Sequence, residues 1–216
     1  MHVVIINGSP RVAKYSNTEK IIDAFTEGLL EEGASFERYA ISNRNNWDKI
    51  RQAYIDNTEI IFAMPLFVES APGIFLEFLE TLPQKDKNTR ISFILQSGFA
   101  EASQLRCGEN FLKTLPDYLG TEFGGILIKG NNFGIRIMKE AAAKKVTGPY
   151  KEMGKAFAQE NGFSKETAEK FAGPEVFPML VRLMLQIVFK TVEKKSFEKV
   201  AKEWGCTVPL DYRPYE

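Results

Sequence analysis

A short polar segment near the start of the chain carries the residues best suited to bind an anion. Ser9, Ser16 and Thr18 offer hydroxyl groups, Arg11 offers a planar set of N–H donors, and Asn17 offers an amide. Charge-assisted hydrogen bonds from such groups are short and strong, and a guanidinium group matches the oxygen atoms of a phosphate. We therefore predict that this loop holds one phosphate group.

An apolar strand is expected before this loop and an amphipathic helix after it. Residues 2–6 form a nearly continuous apolar run, typical of a strand buried on both faces of a parallel sheet. From Ile21 onward, apolar residues recur at helical spacing, and Ser16 and Glu19 have the spacing of a capping box. The free N–H groups of the first helical turn would then favour an anion. The simpler alternative is an ordinary strand, turn and capped helix.

Four further strands are predicted, alternating with helices. They lie at residues 35–41, 59–64, 90–96 and 125–129, with helices expected at 47–56, 73–82 and 101–119. This alternation indicates an α/β protein with a parallel sheet, right-handed crossovers and helices on both faces. The pattern alone does not choose a strand order. The sequence contains neither the glycine motif of dinucleotide-binding Rossmann folds nor a P-loop, which disfavours both of those nucleotide sites.

A second loop follows the third predicted strand and lies over the same edge of the sheet. In it Pro65 lacks an N–H group and Phe67 supplies an aromatic face, while the remaining amides are free to bond the polar edge of a flat ring. The alternative is that Leu66, Phe67 and Val68 fold inward as part of the core.

Motifs of a known family occur at Asn7-Gly8-Ser9-Pro10-Arg11, at Ser16-Asn17-Thr18, and at Pro65-Leu66-Phe67 with Pro72-Gly73. In them the chain resembles the NADPH-dependent FMN reductases and multimeric flavodoxin-like flavoproteins, over residues 1–130. The resemblance implies a flavodoxin-like three-layer sandwich with strand order 2-1-3-4-5 and a ligand between the first and third strands. It implies that the FMN phosphate binds to Ser9, Arg11, Ser16, Asn17 and Thr18, and that the isoalloxazine ring lies between Pro65, Leu66, Phe67 and Val68 on one side and Ser97, Gly98 and Phe99 on the other.

Composition argues against several other classes of protein. The 28 basic and 28 acidic residues balance, so no basic surface for nucleic acid is expected. Cys107 and Cys206 form no C-x-x-C motif, which argues against a disulfide scaffold, a zinc site and an iron–sulfur cluster. His2, the single histidine, leaves no imidazole metal site and no Ser-His-Asp triad. No secretory signal precedes the first strand, so we expect a cytoplasmic protein.

These observations favour a flavoenzyme, in which the cofactor carries electrons and the protein binds and orients it. We expect NAD(P)H to reduce bound FMN by hydride transfer, and a quinone, free flavin or other small molecule to accept the electrons. No side chain is assigned as catalytic, and no metal site is expected. A flavodoxin-type electron carrier without its own NAD(P)H activity is the alternative, although such carriers are typically acidic and this chain has a formal charge of +0. A flavodoxin-like module without flavin is a third possibility.

The C-terminal part, residues 131–216, is predicted to be a helical extension of the domain at residues 1–130. Gly148-Pro149 is expected to break its first helix. Residues 176–189 form a mostly apolar helix of about 14 residues, too short for a bilayer, which needs about 20, so no membrane insertion is expected. Two alternatives for this helix rank equally: burial against the sheet domain, and an interface in a homo-oligomer such as a homodimer. Binding to a membrane surface ranks below both.

Overall fold

The protein divides into two compact units, Met1–Glu175 and Val176–Glu216. The structure, a computed structural model, describes residues 1–213 and 215, without the side chains of residues 192 and 193. Residues 214 and 216 of the predicted extension therefore lie outside the described residues.

The first unit is built on a parallel sheet of five strands. These are β1 His2–Asn7, β2 Ser35–Ala40, β3 Glu59–Pro65, β4 Arg90–Gln96 and β5 Glu122–Lys129. Their order in the sheet is β2-β1-β3-β4-β5, so the flavodoxin-like topology implied by the resemblance is confirmed. The inner strands β1, β3 and β4 are buried on both faces, which explains their continuous apolar sequences.

Helices cover both faces of this sheet and complete the three layers. They are α1 Asn17–Glu31, α2 Trp47–Asp56, α3 Gly73–Leu79, α4 Arg106–Tyr118, α5 Glu140–Glu160 and α6 Lys165–Ala172. Neighbouring residues of a strand point to opposite faces, so Val4 joins a core with α2, α3 and α4, whereas Ile5 joins a core with α1 and α5. Trp47 is buried and its indole N–H donates to the carbonyl oxygen of Ile41 over 2.8 Å.

Helix α5 is continuous, so the predicted break at Gly148-Pro149 is wrong. A proline inside a helix removes one N–H donor and crowds the residue before it. Here that residue is a glycine, which has no Cβ atom to meet the proline ring. Tyr150 and Phe157, each 1% exposed, anchor the part of the helix that follows the proline in the core.

Helices α1 and α5 cross in direct backbone contact at two glycines. A Cβ atom at Gly28 would lie 2.0 Å from the carbonyl oxygen of Lys151, and a Cβ atom at Gly154 would lie 2.0 Å from that of Phe25. No larger residue fits at either position without separating the helices. Helix α5 thus packs on α1 within the first unit, Met1–Glu175.

The second unit is helical. Helix α7, Met179–Val188, continues through a π-helical segment, Phe189–Glu193, into α8, Lys194–Glu203. No described side chain of α7 is buried, and its large apolar side chains are as much as 88% exposed. Among the described helices, none combines the length and apolar character needed to cross a membrane.

Candidate functional site

Four loops meet at the carboxyl-terminal edge of the sheet, where open parallel sheets bind ligands. They follow β1, β3, β4 and β5. The N–H group of Leu66 donates to the carbonyl oxygen of Gln96 over 2.7 Å. The backbone N–H group of Asn132 donates to the carbonyl oxygen of Ser97 over 2.9 Å. Hydrogen bonds thus connect the ends of β3, β4 and β5. The predicted ring-binding residues 65–68 and 97–99 therefore follow two neighbouring strands.

The loop after β1 is folded by hydrogen bonds between near neighbours. The side-chain oxygen of Asn7 accepts from the N–H of Ser9 over 2.9 Å, and the Ser9 hydroxyl accepts from the N–H of Arg11 over 3.3 Å. Such side-chain turns are typical of asparagine and serine. Ser9 is buried and Arg11 is exposed. Within the described part of the chain, no hydrogen bond or ion pair holds the Arg11 guanidinium, which leaves it available to an anion.

Ser16 begins α1 as its N-cap. Its hydroxyl accepts from the N–H of Glu19 over 3.3 Å, as the predicted capping box requires. The second half of the capping box does not form. Instead, the Glu19 carboxylate accepts from the Asn7 amide over 2.6 Å and lies 3.4 Å from the Arg38 guanidinium. The negative charge of Glu19 is therefore partnered inside the protein.

Three buried hydroxyl groups around this helix start each retain a proton to donate. The oxygen atoms of Ser9, Ser16 and Thr18 each accept one hydrogen bond, and none donates to another described residue. The backbone N–H groups of Asn17 and Thr18, in the first turn of α1, also have no acceptor among the described residues. The result is a cluster of donors, as an anion requires. Among the described residues, no three His, Cys, Asp or Glu side chains are grouped to hold a metal ion.

The Asn17 side chain connects the first loop to the loop after β5. Its amide nitrogen donates to the carbonyl oxygens of Asn132, over 2.8 Å, and Phe133, over 3.2 Å. The side-chain donors of Asn17 are therefore used within the protein, and its backbone N–H is the group left for an anion. The side-chain oxygens of Asn17 and Asn132 are buried and accept no hydrogen bond from the described residues.

Sequence reasoning missed Asn132, which organises the loop after β5. It is 1% exposed, and its amide nitrogen donates to the carbonyl oxygen of Lys129 and to the Tyr150 hydroxyl, each over 2.9 Å. Complete burial raises the pKa of Tyr150, so its hydroxyl stays neutral. The available signal was Gly130-Asn131-Asn132, a turn sequence directly after the last strand.

The second loop is a tight turn with an unusual backbone. Phe67 and Ser70 exchange two backbone hydrogen bonds, and between them Val68 and Glu69 have φ angles of 48° and 63°. A positive φ in a β-branched residue costs about 1–3 kcal/mol and is typical of functional loops. Val68 is 99% exposed and only Leu66 packs against the core, so the alternative of an inward-folded loop is wrong. The N–H groups of Val68 and Glu69 have no acceptor among the described residues.

Exposed aromatic rings flank this edge of the sheet. Phe67, Phe99 and Phe133 are 42%, 65% and 57% exposed. The third loop is compact, because the buried Ser97 hydroxyl accepts from the N–H of Phe99 over 3.1 Å and because a Cβ atom at Gly98 would lie 3.2 Å from that of Phe133. Grouped apolar rings at a surface mark binding sites, and their faces suit a flat aromatic ligand.

Comparison with known proteins gives the fold. No family model matches the sequence, and no curated protein matches it. An FMN-dependent NADH-azoreductase from Bacillus anthracis, solved in complex with FMN, matches with a TM-score of 0.54 and 13% identity, covering 73% of this chain and 100% of that chain. An NADH:FMN oxidoreductase in its apo form matches with a TM-score of 0.55 and 14% identity, covering 77% and 92%. A flavodiiron core from Synechocystis sp. PCC6803 matches with a TM-score of 0.52 and 18% identity, covering 74% of this chain and 36% of that chain. At these identities, the likeness shows that the chain has the flavodoxin-like fold.

Proposed function

We propose that this chain is an FMN-binding, NAD(P)H-dependent oxidoreductase that passes electrons to a small-molecule acceptor such as a quinone or a flavin. The observation that carries the proposal is the cluster of unused donors at the start of α1, next to exposed aromatic rings at the ligand-binding edge of a flavodoxin-like sheet. FMN-dependent enzymes among the structural neighbours support the choice of cofactor.

The first loop fits the phosphate group of FMN. A phosphate needs donors only, and the loop offers the hydroxyl protons of Ser9, Ser16 and Thr18, the N–H groups of Asn17 and Thr18, and the Arg11 guanidinium. Each hydrogen bond to a charged group contributes about 1.5–3 kcal/mol, and the helix N-terminus adds about 0.3–1 kcal/mol. One such loop suits one phosphate group, which favours FMN over FAD.

The second and third loops fit the flavin ring. Residues 65–68 would hold it on one side and residues 97–99 on the other, with Phe67 and Phe99 against its apolar surface. The free N–H groups of Val68 and Glu69 would bond to its polar edge. When bound, FMN supplies the hydride and electron chemistry. The protein orients the ring and keeps water from its covered face, and we assign no acid–base role to a side chain.

The proposal includes a homo-oligomer in the cytoplasm. It is tested by the visible absorbance of the purified protein after incubation with FMN and removal of free flavin, followed by anaerobic addition of NADH or NADPH. A retained flavin band that bleaches with either nucleotide is expected. A band that bleaches only with dithionite would indicate a flavodoxin-type electron carrier. A protein that retains no flavin would contradict both functions.

A further inference from the structure

The last residue of β4 is a buried glutamine that belongs to none of the predicted binding loops. Gln96 is 6% exposed and directly precedes Ser97, the first residue of the third loop. In the sheet it is the register partner of Pro65, the last residue of β3. A glutamine is rarely buried unless its polar atoms have partners, so the contacts of this side chain indicate its role.

Gln96 contacts both halves of the candidate site. Its side-chain nitrogen, Nε2, donates over 3.3 Å to the hydroxyl of Thr18, which lies in the first turn of α1. Its backbone carbonyl oxygen accepts from the N–H of Leu66, in the second loop. The Gln96 side chain therefore lies between the donor cluster at the start of α1 and the loops proposed to hold the flavin ring.

The side-chain oxygen of Gln96, Oε1, is an unused acceptor. No described residue donates a hydrogen bond to it. The unpartnered side-chain oxygens of Asn17 and Asn132 are enclosed by protein atoms, whereas that of Gln96 is not among the enclosed atoms. A phosphate group needs donors and does not use an acceptor. The open Oε1 atom therefore suits a part of the ligand that has a proton to donate.

We infer that Gln96 Oε1 accepts a hydrogen bond from a hydroxyl group of the ribityl chain, which joins the phosphate group of FMN to its ring. The inference rests on the proposed function and adds a binding residue to it. The bond from Nε2 to Thr18 holds the amide in one orientation. The same bond occupies the Thr18 oxygen, so the Thr18 hydroxyl proton is left for the phosphate.

The flavin ring also carries an N–H donor, which lies in the part of the ring farthest from the phosphate along the molecule. Gln96 contacts Thr18, a member of the proposed phosphate site, over 3.3 Å. The ribityl chain is the part of FMN attached directly to the phosphate. A ribityl hydroxyl is therefore the donor expected beside Gln96.

Fluorescence titration with FMN, riboflavin and lumiflavin tests the inference. Riboflavin keeps the ribityl chain without the phosphate, and lumiflavin keeps the ring with a methyl group in place of the chain. Gln96→Met has a similar volume and no amide. It should weaken FMN and riboflavin binding about three- to tenfold, as expected for one neutral hydrogen bond, and leave lumiflavin binding unchanged.

Two variants serve as controls, and circular dichroism shows whether each variant is folded. Ser92→Ala changes another buried polar residue of β4, 1% exposed and nearer the start of the strand, and should leave all these affinities unchanged. Thr18→Val removes the hydroxyl that Gln96 contacts, and should weaken FMN binding without weakening riboflavin binding. In the wild type, riboflavin should shift the NMR signal of the Gln96 side-chain amide and lumiflavin should not, which requires no variant to fold.

Several results would overturn the inference. A Gln96→Met variant that loses only FMN affinity would show that Gln96 acts through Thr18 on the phosphate alone. A loss shared by lumiflavin would place the contact on the ring or reveal a general loss of structure. An unchanged Gln96 amide signal with bound riboflavin would exclude the contact whether or not the variant folds. A wild type that binds no flavin contradicts the proposed function, whereas any of these patterns in a protein that binds flavin contradicts only this inference.

Discussion

The side-chain amide of Asn17 donates a hydrogen bond to the backbone carbonyl oxygen of Asn132 over 2.8 Å, although 115 positions separate the two residues. It joins the first turn of α1 to the loop after β5, while β3 and β4 lie between β1 and β5 in the sheet. The relative position of these two loops is therefore fixed by a contact between side chain and backbone, and not by strand pairing.

Asn17→Ala should lower the free energy of unfolding by about 1 kcal/mol, because two hydrogen bonds are lost and two carbonyl oxygens lose a donor. Urea denaturation of the FMN-free protein measures this change. Asn110→Ala is the control, since Asn110 is exposed on α4 and should change stability by less than about 0.5 kcal/mol. Equal losses in the two variants would contradict the connecting role of Asn17.

Arg11→Ala should weaken FMN binding by about 1.5–3 kcal/mol, because a charge-assisted bond to the phosphate is lost. Fluorescence titration with FMN and with riboflavin measures both affinities, and riboflavin binding should not change because riboflavin has no phosphate. Lys14→Ala removes a charge of the same sign from the same loop and should have the smaller effect. If riboflavin affinity fell as much as FMN affinity, Arg11 would not be a phosphate ligand.

Tyr54 should make the protein less stable at alkaline pH. Burial raises the pKa of Tyr54 to about 12 from its ordinary 10.0, and its buried hydroxyl has no partner among the described residues. Above pH 10.0 the Tyr54 hydroxyl is ionised in the unfolded chain but still protonated in the folded protein. The folded protein therefore loses stability as the pH rises from 10.0 to about 12.

Tyr54→Phe should remove this loss. Between pH 9 and 11 the wild type should lose about 1 kcal/mol more than the variant, by urea denaturation at each pH. At pH 8 the variant should be as stable as the wild type or more so, because an unpartnered hydroxyl is removed. Tyr118→Phe, at a residue 72% exposed, should behave like the wild type. Parallel pH profiles of wild type and Tyr54→Phe would contradict the assignment.

Gly154→Ala should destabilise the protein by about 1–3 kcal/mol, because its Cβ atom would force α1 and α5 apart. Thermal unfolding measures the change. Gly73→Ala is the control: a Cβ atom at this first residue of α3 would have no atom within 4 Å, so stability should hold or rise by about 0.5–1 kcal/mol. A neutral Gly154→Ala variant would mean that the two helices can separate without cost.

Local patterns in the sequence predicted the elements well. The apolar run at residues 2–6 and the spacing of Ser16 and Glu19 predicted β1 and the N-cap of α1, because a buried strand is continuously apolar in its own sequence and a capping bond joins residues three positions apart. The order of the strands needed the resemblance, since periodicity within a strand carries no information about its neighbours in the sheet.

The features that were missed depend on contacts between distant residues. Pro149 is tolerated because the core holds Tyr150 and Phe157, and the position of Asn132 depends on partners in other elements. The apolar run at residues 176–189 predicted a helix whose apolar side chains need a partner surface, and its periodicity carries no information about whether that surface belongs to the same chain.

The close crossing of α1 and α5 has a consequence for how this sequence can evolve. Gly28 and Gly154 each face the backbone of the other helix, so a side chain at either one changes the spacing that both require. Related sequences should therefore keep small residues at both positions or replace both together, which an alignment of relatives would measure. Since α1 carries the donor cluster at its first turn, a substitution at either glycine that moves α1 would also move those donors.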